Sequence, residues 1–559
     1  MLTYSTKTPE WMTEEGLKTL QSGYLLEGET PVDMFNRVAM RSAEHTNIAL
    51  APYFMEALMR NWLCLASPVA SNLGTTRGLP ISCFGLQLED SVDGIFSGVH
   101  ELAMMSKNGG GVGIGLSAVR GRGAPIRGNG VSEGIVPWAK VFDSATIAVN
   151  QGQTRRGATS VNLSADHPDI MEFLQIRRSS GDVNRQSPNL HQCVVVSDRF
   201  MQRVVDGDAK AREVWLAILR ARLETGEPYI MYEDNVNRAS PKGYGPVSMT
   251  NICSEITLHT DPEHSFVCCL SSLNLARYDE WKDFRFSNGM TLPELATWFL
   301  DGVLSEFIER AESEPKLAHA VASAVKGRAI GLGVLGWHTY LQSHDMVFDS
   351  SIETMGLNSR VFRFIQEESD KASRDMGEKL GIPQWAEGRR NTHTTALAPT
   401  ATNSIISGGV SPSIEPWAAN AFVQKTAKGV FVKRNPVLEE LLTKYGYNGR
   451  ETWQSIVANE GSVQHLDFLT EHEKKVFLTA REIPQYHLIG QAAARQPYID
   501  QSQSLNIFVP ADVDAKWFHQ LHVDAWTLGV KTLYYCRSGS VLKGDVASRF
   551  YDGCDACEG

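Results

Sequence analysis

Asn251-Ile252-Cys253-Ser254-Glu255 places an amide, a thiol and a carboxylate at alternate positions of a five-residue stretch. Read as extended chain, that spacing turns all three side chains to one face. Negative charge raises a neighbouring cysteine's pKa, so this is a poor place to make a thiolate. The arrangement suits a neutral thiol that gives up a hydrogen atom, with Glu255 as proton acceptor and Asn251 as orienting hydrogen bonder. A buried strand cysteine with incidental polar neighbours is the competing reading of these five residues. The rest of the chain decides between the two.

The chain has 559 residues, 42% hydrophobic and 21% charged, which matches an ordinary globular protein with a large core. One large α/β barrel with additions fits that length as well as several domains do. A formal net charge of -11 argues against duplex nucleic acid as a partner, since that needs a basic face. No run approaches the length of a membrane span, and Met1-Leu2-Thr3-Tyr4-Ser5 lacks the basic-then-apolar order of a signal peptide. No membrane role is read, and a cytoplasmic location follows by default. The nine cysteines are odd in number and scattered, unlike a disulfide framework. Cys64, Cys193 and Cys536 lie in apolar or aromatic runs and read as inert core.

Residues from about 10 to 66 read as helical. Thr30-Pro31-Val32-Asp33 is a helix start with Thr30 as N-cap and Pro31 at the first position, and a following helix carries Tyr53, Leu58 and Trp62. Ser82 to Leu88 reads as a strand with Cys83 at its head and Asp90 just beyond its end. Lys107 to Gly115 is glycine-rich but has neither the P-loop lysine nor the GxGxxG spacing, and reads as a tight strand with close backbone approach. Arg120, Arg122 and Arg127 follow in a loop that is either solvated or, with Asp90, a nucleotide site: phosphates on arginine, ribose hydroxyl on aspartate. Gly152 to Gly157 is a second basic loop, holding Arg155 and Arg156.

Helix and strand then alternate, which favours a parallel sheet covered by helices. Phe266-Val267-Cys268-Cys269-Leu270 is a buried strand, and Thr394 to Leu397 another. The turn Pro399-Thr400-Ala401-Thr402-Asn403-Ser404 is either an ordinary N-cap or a phosphate site at a helix start. Asp512 reads as the cap of a helix from Val513 to Leu528, and Lys531 to Cys536 as the next strand, with Tyr534 and Tyr535 as β-preferring aromatics. The terminal Cys554-Asp555-Ala556-Cys557 could be half a zinc site, a thioredoxin-like pair or an exchangeable dithiol on a flexible tail. No other Cys-x-x-Cys exists to complete a zinc site, so no metal site is read, and the tail dithiol is favoured.

Seven of these pieces, in this order, resemble the catalytic large subunit of a class I ribonucleotide reductase. They are Ser82-Cys83, Lys107–Gly115 with Pro125-Ile126-Arg127-Gly128, Asn251-x-Cys253-x-Glu255, Cys268-x-Leu270-Ser271-Ser272-Leu273-Asn274, Pro399-Thr400-Ala401-Thr402, Tyr534-Tyr535 and Cys554-x-x-Cys557. The resemblance implies a ten-stranded α/β barrel with a central finger loop, preceded by a short helical N-terminal segment. The domains expected are a helical segment over 1–66, the catalytic barrel over 67–548 and a redox-active tail over 549–559. It also implies that Cys253 becomes a transient thiyl radical taking the 3′ hydrogen of a ribonucleotide. Glu255 would remove the 3′-hydroxyl proton, Asn251 would bind the sugar, and Cys83 with Cys268 would supply two electrons and end as a disulfide. Cys269, one residue along the strand, should face away.

By the same resemblance, Tyr534 and Tyr535 relay the radical from a ferritin-like, metal-containing small subunit. Cys554 and Cys557 carry electrons from thioredoxin or glutaredoxin. Ser67, Ser82 and the turn Thr400, Ala401, Thr402, Asn403 and Ser404 hold the substrate, with its phosphates on Ser67 and Thr400–Ser404. Asp90, Arg120, Arg127 and Arg155 bind a dNTP or ATP effector, with Mg2+, at a homodimer interface. Cys83 lies too near the start of the chain to leave room for an N-terminal ATP-cone, so effector-tuned specificity is expected without cone-based dATP inhibition. An adenosylcobalamin-dependent reductase is the nearest alternative, and a dNTP-binding, redox-sensing regulatory protein a remote one.

Overall fold

The computed structural model describes residues 7–149, 157–178, 181–426, 429–510 and 512–539. Its strands in chain order are β1 (Leu63–Leu65), β2 (Cys83–Gln87), β3 (Gly111–Gly115), β4 (Thr159–Ser164), β5 (Leu190–Val196), β6 (Tyr229–Tyr232), β7 (Phe266–Asn274), β8 (Ile330–Leu335), β9 (Ala421–Thr426), β10 (Gly429–Arg434), β11 (Ile507–Val509), β12 (Thr532–Leu533) and β13 (Cys536–Ser538).

Strands β2 to β6 run parallel, each hydrogen-bonded to the next. At one edge β2 meets β7 antiparallel, and at the other β6 meets β12 antiparallel. The second half of the ring continues parallel from β7 to β8. From β8 it passes through a bridge at Leu332 and Thr395, then one at Leu397 and Gln503. Backbone bonds from Tyr534 N to Leu505 O (2.9 Å) and the parallel pair β11–β13 bring it round to β12. Among the described residues, two parallel halves of five strand positions thus join at two antiparallel seams into a ten-membered α/β barrel. The parallel-sheet expectation holds within each half and fails at the seams.

Buried strands of such a ring are covered inside and out, so they read as continuous apolar runs. All nine residues of β7 are buried. Helix Leu292–Ala311 covers β7 and β8 from outside, starting at a capping box formed by Thr291 and Glu294. A separate apolar cluster built on Leu438, Leu442, Trp453 and Ile456 packs the helices that follow β10.

The N-terminal segment differs from the all-helical expectation. Helix Pro31–His45 begins at the expected Thr30 cap, with Asp33 completing a capping box. The next helix stops at Met59, before Trp62. Asn61 then takes a left-handed conformation (φ 57°) and Leu63–Leu65 pairs with β7, which consumes backbone groups a longer helix would have used. Near the other end, the cap of helix Ala515–Thr527 is Asp514, not Asp512: the Asp514 side chain accepts from Trp517 N at 2.8 Å. Two aspartates stand two residues apart there, and the second, not the expected first, makes the cap.

Candidate active site

The stretch 251–255 is not extended. Asn251 N donates to Ile256 O (3.3 Å), the Asn251 side-chain oxygen accepts from Ile256 N (3.0 Å), and Ser254 sits at φ 68°. The chain makes a tight loop inside the barrel, so its side chains converge by a turn and not by strand alternation. The glycines of β3 make room for it. A methyl group on Gly113 would come within 2.4 Å of the Thr250 carbonyl oxygen, and one on Gly111 within 2.8 Å of the Ile252 side chain. Asn162 of β4 holds the loop by donating to Thr250 O (3.1 Å) and accepting from Thr250 N (3.2 Å).

What converges is a dry cluster. Asn251 Nδ2 donates to Glu255 Oε2 (2.9 Å) and lies 3.0 Å from Cys83 Sγ; the Cys83 thiol in turn points at Glu255 Oε1, 3.6 Å away. Ser504 Oγ bonds the Cys253 carbonyl (2.5 Å) and lies 3.3 Å from Glu255 Oε2. Cys83, Asn251, Cys253, Glu255, Cys268 and Ser504 are all at most 2% exposed. Cys83 and Cys268 are direct partners across the antiparallel β2–β7 seam. Opposed residues in such a pair have Cα atoms about 4.5–5.5 Å apart, inside the span of about 4.4–6.8 Å that a disulfide needs. Cys268 accepts from Gln501 Nε2 at 3.6 Å, whereas the Cys269 thiol turns outward to the Leu300 carbonyl (3.4 Å) of the covering helix.

Burial raises the Glu255 pKa, opposed in part by hydrogen bonds from Asn251, its own backbone, Cys83 and Ser504. No ion pair to Glu255 occurs among the described residues, so nothing cationic offsets the lost water. Burial likewise pushes the Cys268 thiol up to about 12, and the Glu255 charge adds to that rise. The cluster therefore favours protonated sulfur at Cys268 beside a carboxyl of raised pKa, which disfavours thiolate attack.

Cys253 also belongs to an apolar cluster with Ile252, Tyr229 and Tyr534, against which Tyr535 packs. The rings of Tyr534 and Tyr535 lie 4.3 Å apart, centroid to centroid. Ser82 Oγ is buried without a partner among the described residues. Ser67 lies at the start of helix Ser67–Asn72, its hydroxyl 2.9 Å from the Tyr24 hydroxyl. Thr400, left-handed at φ 54°, precedes helix Ala401–Ile406, and its hydroxyl accepts from Ser413 N (2.7 Å). In that turn Asn403 Oδ1 is buried without a partner among the described residues, and Ser404 Oγ donates to Ala401 O (2.8 Å).

Elsewhere, Asp90 and Arg120 are paired with each other (2.7 Å), both about a third exposed, and Arg127 is exposed nearby. Arg155, Cys554 and Cys557 lie outside the described residues. Gln501, Ser504, His191 and Glu227 joined none of the sequence constellations. The one signal available was the polar run Gln501-Ser502-Gln503-Ser504, unusual before an apolar strand. One group with metal-ligand spacing, His45, Glu306 and Glu309, is tied up by Arg41, which pairs with Glu306 (2.6 Å) and Glu309 (3.2 Å).

A barrel with a thiol-bearing loop at its centre and two further thiols across one seam defines the class. Residues 81–210, 206–386 and 384–536 match the ribonucleotide reductase barrel domain, and residues 10–78 match the all-alpha domain of the same enzyme. The chain belongs to the ribonucleotide reductase large-subunit family, a family of oxidoreductases. It is similar to the ribonucleoside-diphosphate reductase large subunit of Invertebrate iridescent virus 3, with 36% identity covering 97% of this chain and 98% of that one. The Vaccinia virus large subunit is 30% identical, covering 94% of this chain and 77% of that one. Among solved structures, the class Id ribonucleotide reductase alpha subunit of Actinobacillus ureae superposes with a TM-score of 0.86 at 39% identity, covering 96% of this chain and all of that one. No helix among the described residues is long and apolar enough to cross a membrane.

Proposed function

We propose that this chain reduces ribonucleoside diphosphates to 2′-deoxyribonucleotides by a radical on Cys253. The observation that carries the reading is the pairing of Cys83 with Cys268 across the β2–β7 seam, with Glu255 and Asn251 of the central loop against Cys83. The Cys253 sulfur radical takes the 3′ hydrogen of the ribose and Glu255 takes the 3′-hydroxyl proton. The 2′-hydroxyl then leaves as water with a proton from the Cys83–Cys268 pair. Those two thiols supply two electrons and become a disulfide, the second thiol hydrogen goes to C2′, the proton on Glu255 returns to the 3′ oxygen, and the 3′ hydrogen returns from Cys253. A buried, water-excluding cluster supports this order, since solvent would quench the radical.

Ser67, Ser82 and the Thr400–Ser404 turn hold the nucleotide, its phosphates on Ser67 and the turn. Tyr534 and Tyr535 carry the radical inward from a metal-containing small subunit. Cys554 and Cys557 pass on electrons from thioredoxin or glutaredoxin. Asp90, Arg120, Arg127 and Arg155 take a nucleotide effector with Mg2+ at a homodimer interface. Exposed Val92, Phe96 and Ile147 on the two helices flanking that site support such an interface. The three units are the mainly helical segment 1–66, the barrel 67–548 and the tail 549–559 of a cytoplasmic enzyme.

The test is product formation from a ribonucleoside diphosphate with dithiothreitol and a radical-bearing small subunit. Cys253→Ser should abolish product while leaving nucleotide binding intact; full turnover by that variant overturns the reading. Product formed with adenosylcobalamin alone would move the chain to the cobalamin-dependent class.

A further inference from the structure

The radical-transfer reading leaves unused a half-buried group at the outer tyrosine. His191 Nδ1 lies 2.7 Å from Glu227 Oε1, 3.1 Å from the Tyr229 hydroxyl and 3.4 Å from the Tyr535 hydroxyl. Glu227 is 1% exposed and held in place by Gln192 N (2.9 Å) and Arg177 Nε (3.4 Å). Burial pushes its carboxyl up, but Arg177 and His191 outweigh that and hold it ionised. An ionised carboxylate this close requires a proton on Nδ1. That N–H goes first to Glu227, and the Tyr229 and Tyr535 phenol oxygens lie within reach of the same nitrogen. Tyr229 packs against both rings of the tyrosine pair, 4.6 Å from the Tyr534 ring and 5.1 Å from the Tyr535 ring, and Arg537 lies 4.3 Å over the Tyr535 ring.

We infer that His191, clamped by Glu227, is a positioning residue for radical transfer, holding an N–H toward the oxygen of Tyr535 and stabilising its oxidised form. The physical ground is that a phenoxyl oxygen, having lost its own hydrogen, accepts a hydrogen bond more strongly than a phenol oxygen does. An interaction that strengthens in the oxidised state speeds the step that forms it, whereas equal binding of both states would not. The proposal rests on the radical reading of Tyr535. The oxidant is the one-electron oxidant of the small subunit, which takes the electron while the phenolic proton passes to solvent, which reaches the partly buried Tyr535.

The experiment uses the assembled enzyme with its radical-bearing small subunit. A 3-aminotyrosine at position 535 traps the radical, which is read by high-field electron paramagnetic resonance and by deuterium coupling after exchange into D2O. An exchangeable deuteron on the phenoxyl oxygen is expected with His191 present and lost in His191→Phe, with the g-value moving to that of an unbonded radical. His191→Phe should lower kcat roughly tenfold, the worth of one hydrogen bond, without changing KM. His191→Gln, which keeps an N–H donor, should recover most of both signals. A coupling unchanged in His191→Phe, or equal loss in the Phe and Gln variants, overturns the assignment to His191. If no radical appears at position 535 and Tyr535→Phe is fully active, the radical chain itself fails and this inference falls with it.

Discussion

Two carboxylates, each 1% exposed, stand in this barrel and are driven in opposite directions. Glu255, on the central loop, meets only an amide, a hydroxyl and a thiol, and its pKa rises. Glu227, beside the tyrosines, meets Arg177 and His191, and its pKa falls despite equal burial. The contrast shows that burial alone does not decide a buried group's charge; the neighbours do. One carboxyl is held toward its neutral form, and the other is kept as a negative charge beside Arg177 and the His191 ring.

Exchanging each for glutamine should separate the two roles most widely. Glu255→Gln should lose at least about a thousandfold in turnover if Glu255 is the proton acceptor proposed above, with little change in stability. Glu227→Gln should instead destabilise by about 3 kcal/mol, because it leaves Arg177 and His191 without their carboxylate. Turnover assays beside urea titrations check both, and the comparison breaks if the two variants behave alike.

Next in size is the packing of the loop. Gly113→Ala forces a methyl group to within 2.4 Å of Thr250 O, so the loop must move. Turnover should fall about a hundredfold, since small displacements of reacting groups cost that much. A crystal structure of the variant should show the loop displaced; an undisturbed loop with full activity would contradict the packing argument. For the thiols, Cys268→Ser should abolish turnover with the physiological reductant while Cys269→Ser largely spares it, because one sulfur faces Gln501 inside the ring and the other the covering helix.

The smallest effect is the pH dependence of stability. Glu227 has a lowered folded pKa, so its contribution is present above the unfolded value of about 4.3 and is lost as pH falls through the folded value. Glu255 has a raised folded pKa, so its contribution is present below the unfolded value and is lost as pH rises through the folded value. Relative to the parent, Glu227→Gln should therefore close its deficit in acid, and Glu255→Gln should gain as pH rises from 5 to 8. Thermal unfolding midpoints across that range, extended toward pH 4 for Glu227→Gln, check the two signs.

The alternation of apolar strands and helices made a helix-covered parallel sheet legible, and the glycines of 109–115 a site of close approach, while the barrel was implied by the resemblance to a known family. The seams were not legible, because a strand's direction relative to a neighbour hundreds of residues away leaves no local trace. Nor was the shape of 251–255: it depends on the left-handed Ser254 and on the Asn251 side chain closing the turn, where an alternating pattern suggested extension. Ser504 and Gln501 escaped notice for a related reason. Each is far along the chain from the group it touches and belongs to no short motif.

The most direct test is a single turnover without external reductant, in a chain whose Cys554 and Cys557 are replaced by serine, followed by alkylation and peptide mapping. One Cys83–Cys268 disulfide should form for each deoxynucleotide produced, with Cys253 still alkylated as a thiol. Deoxynucleotide formed while Cys83 and Cys268 both remain alkylatable would contradict the account.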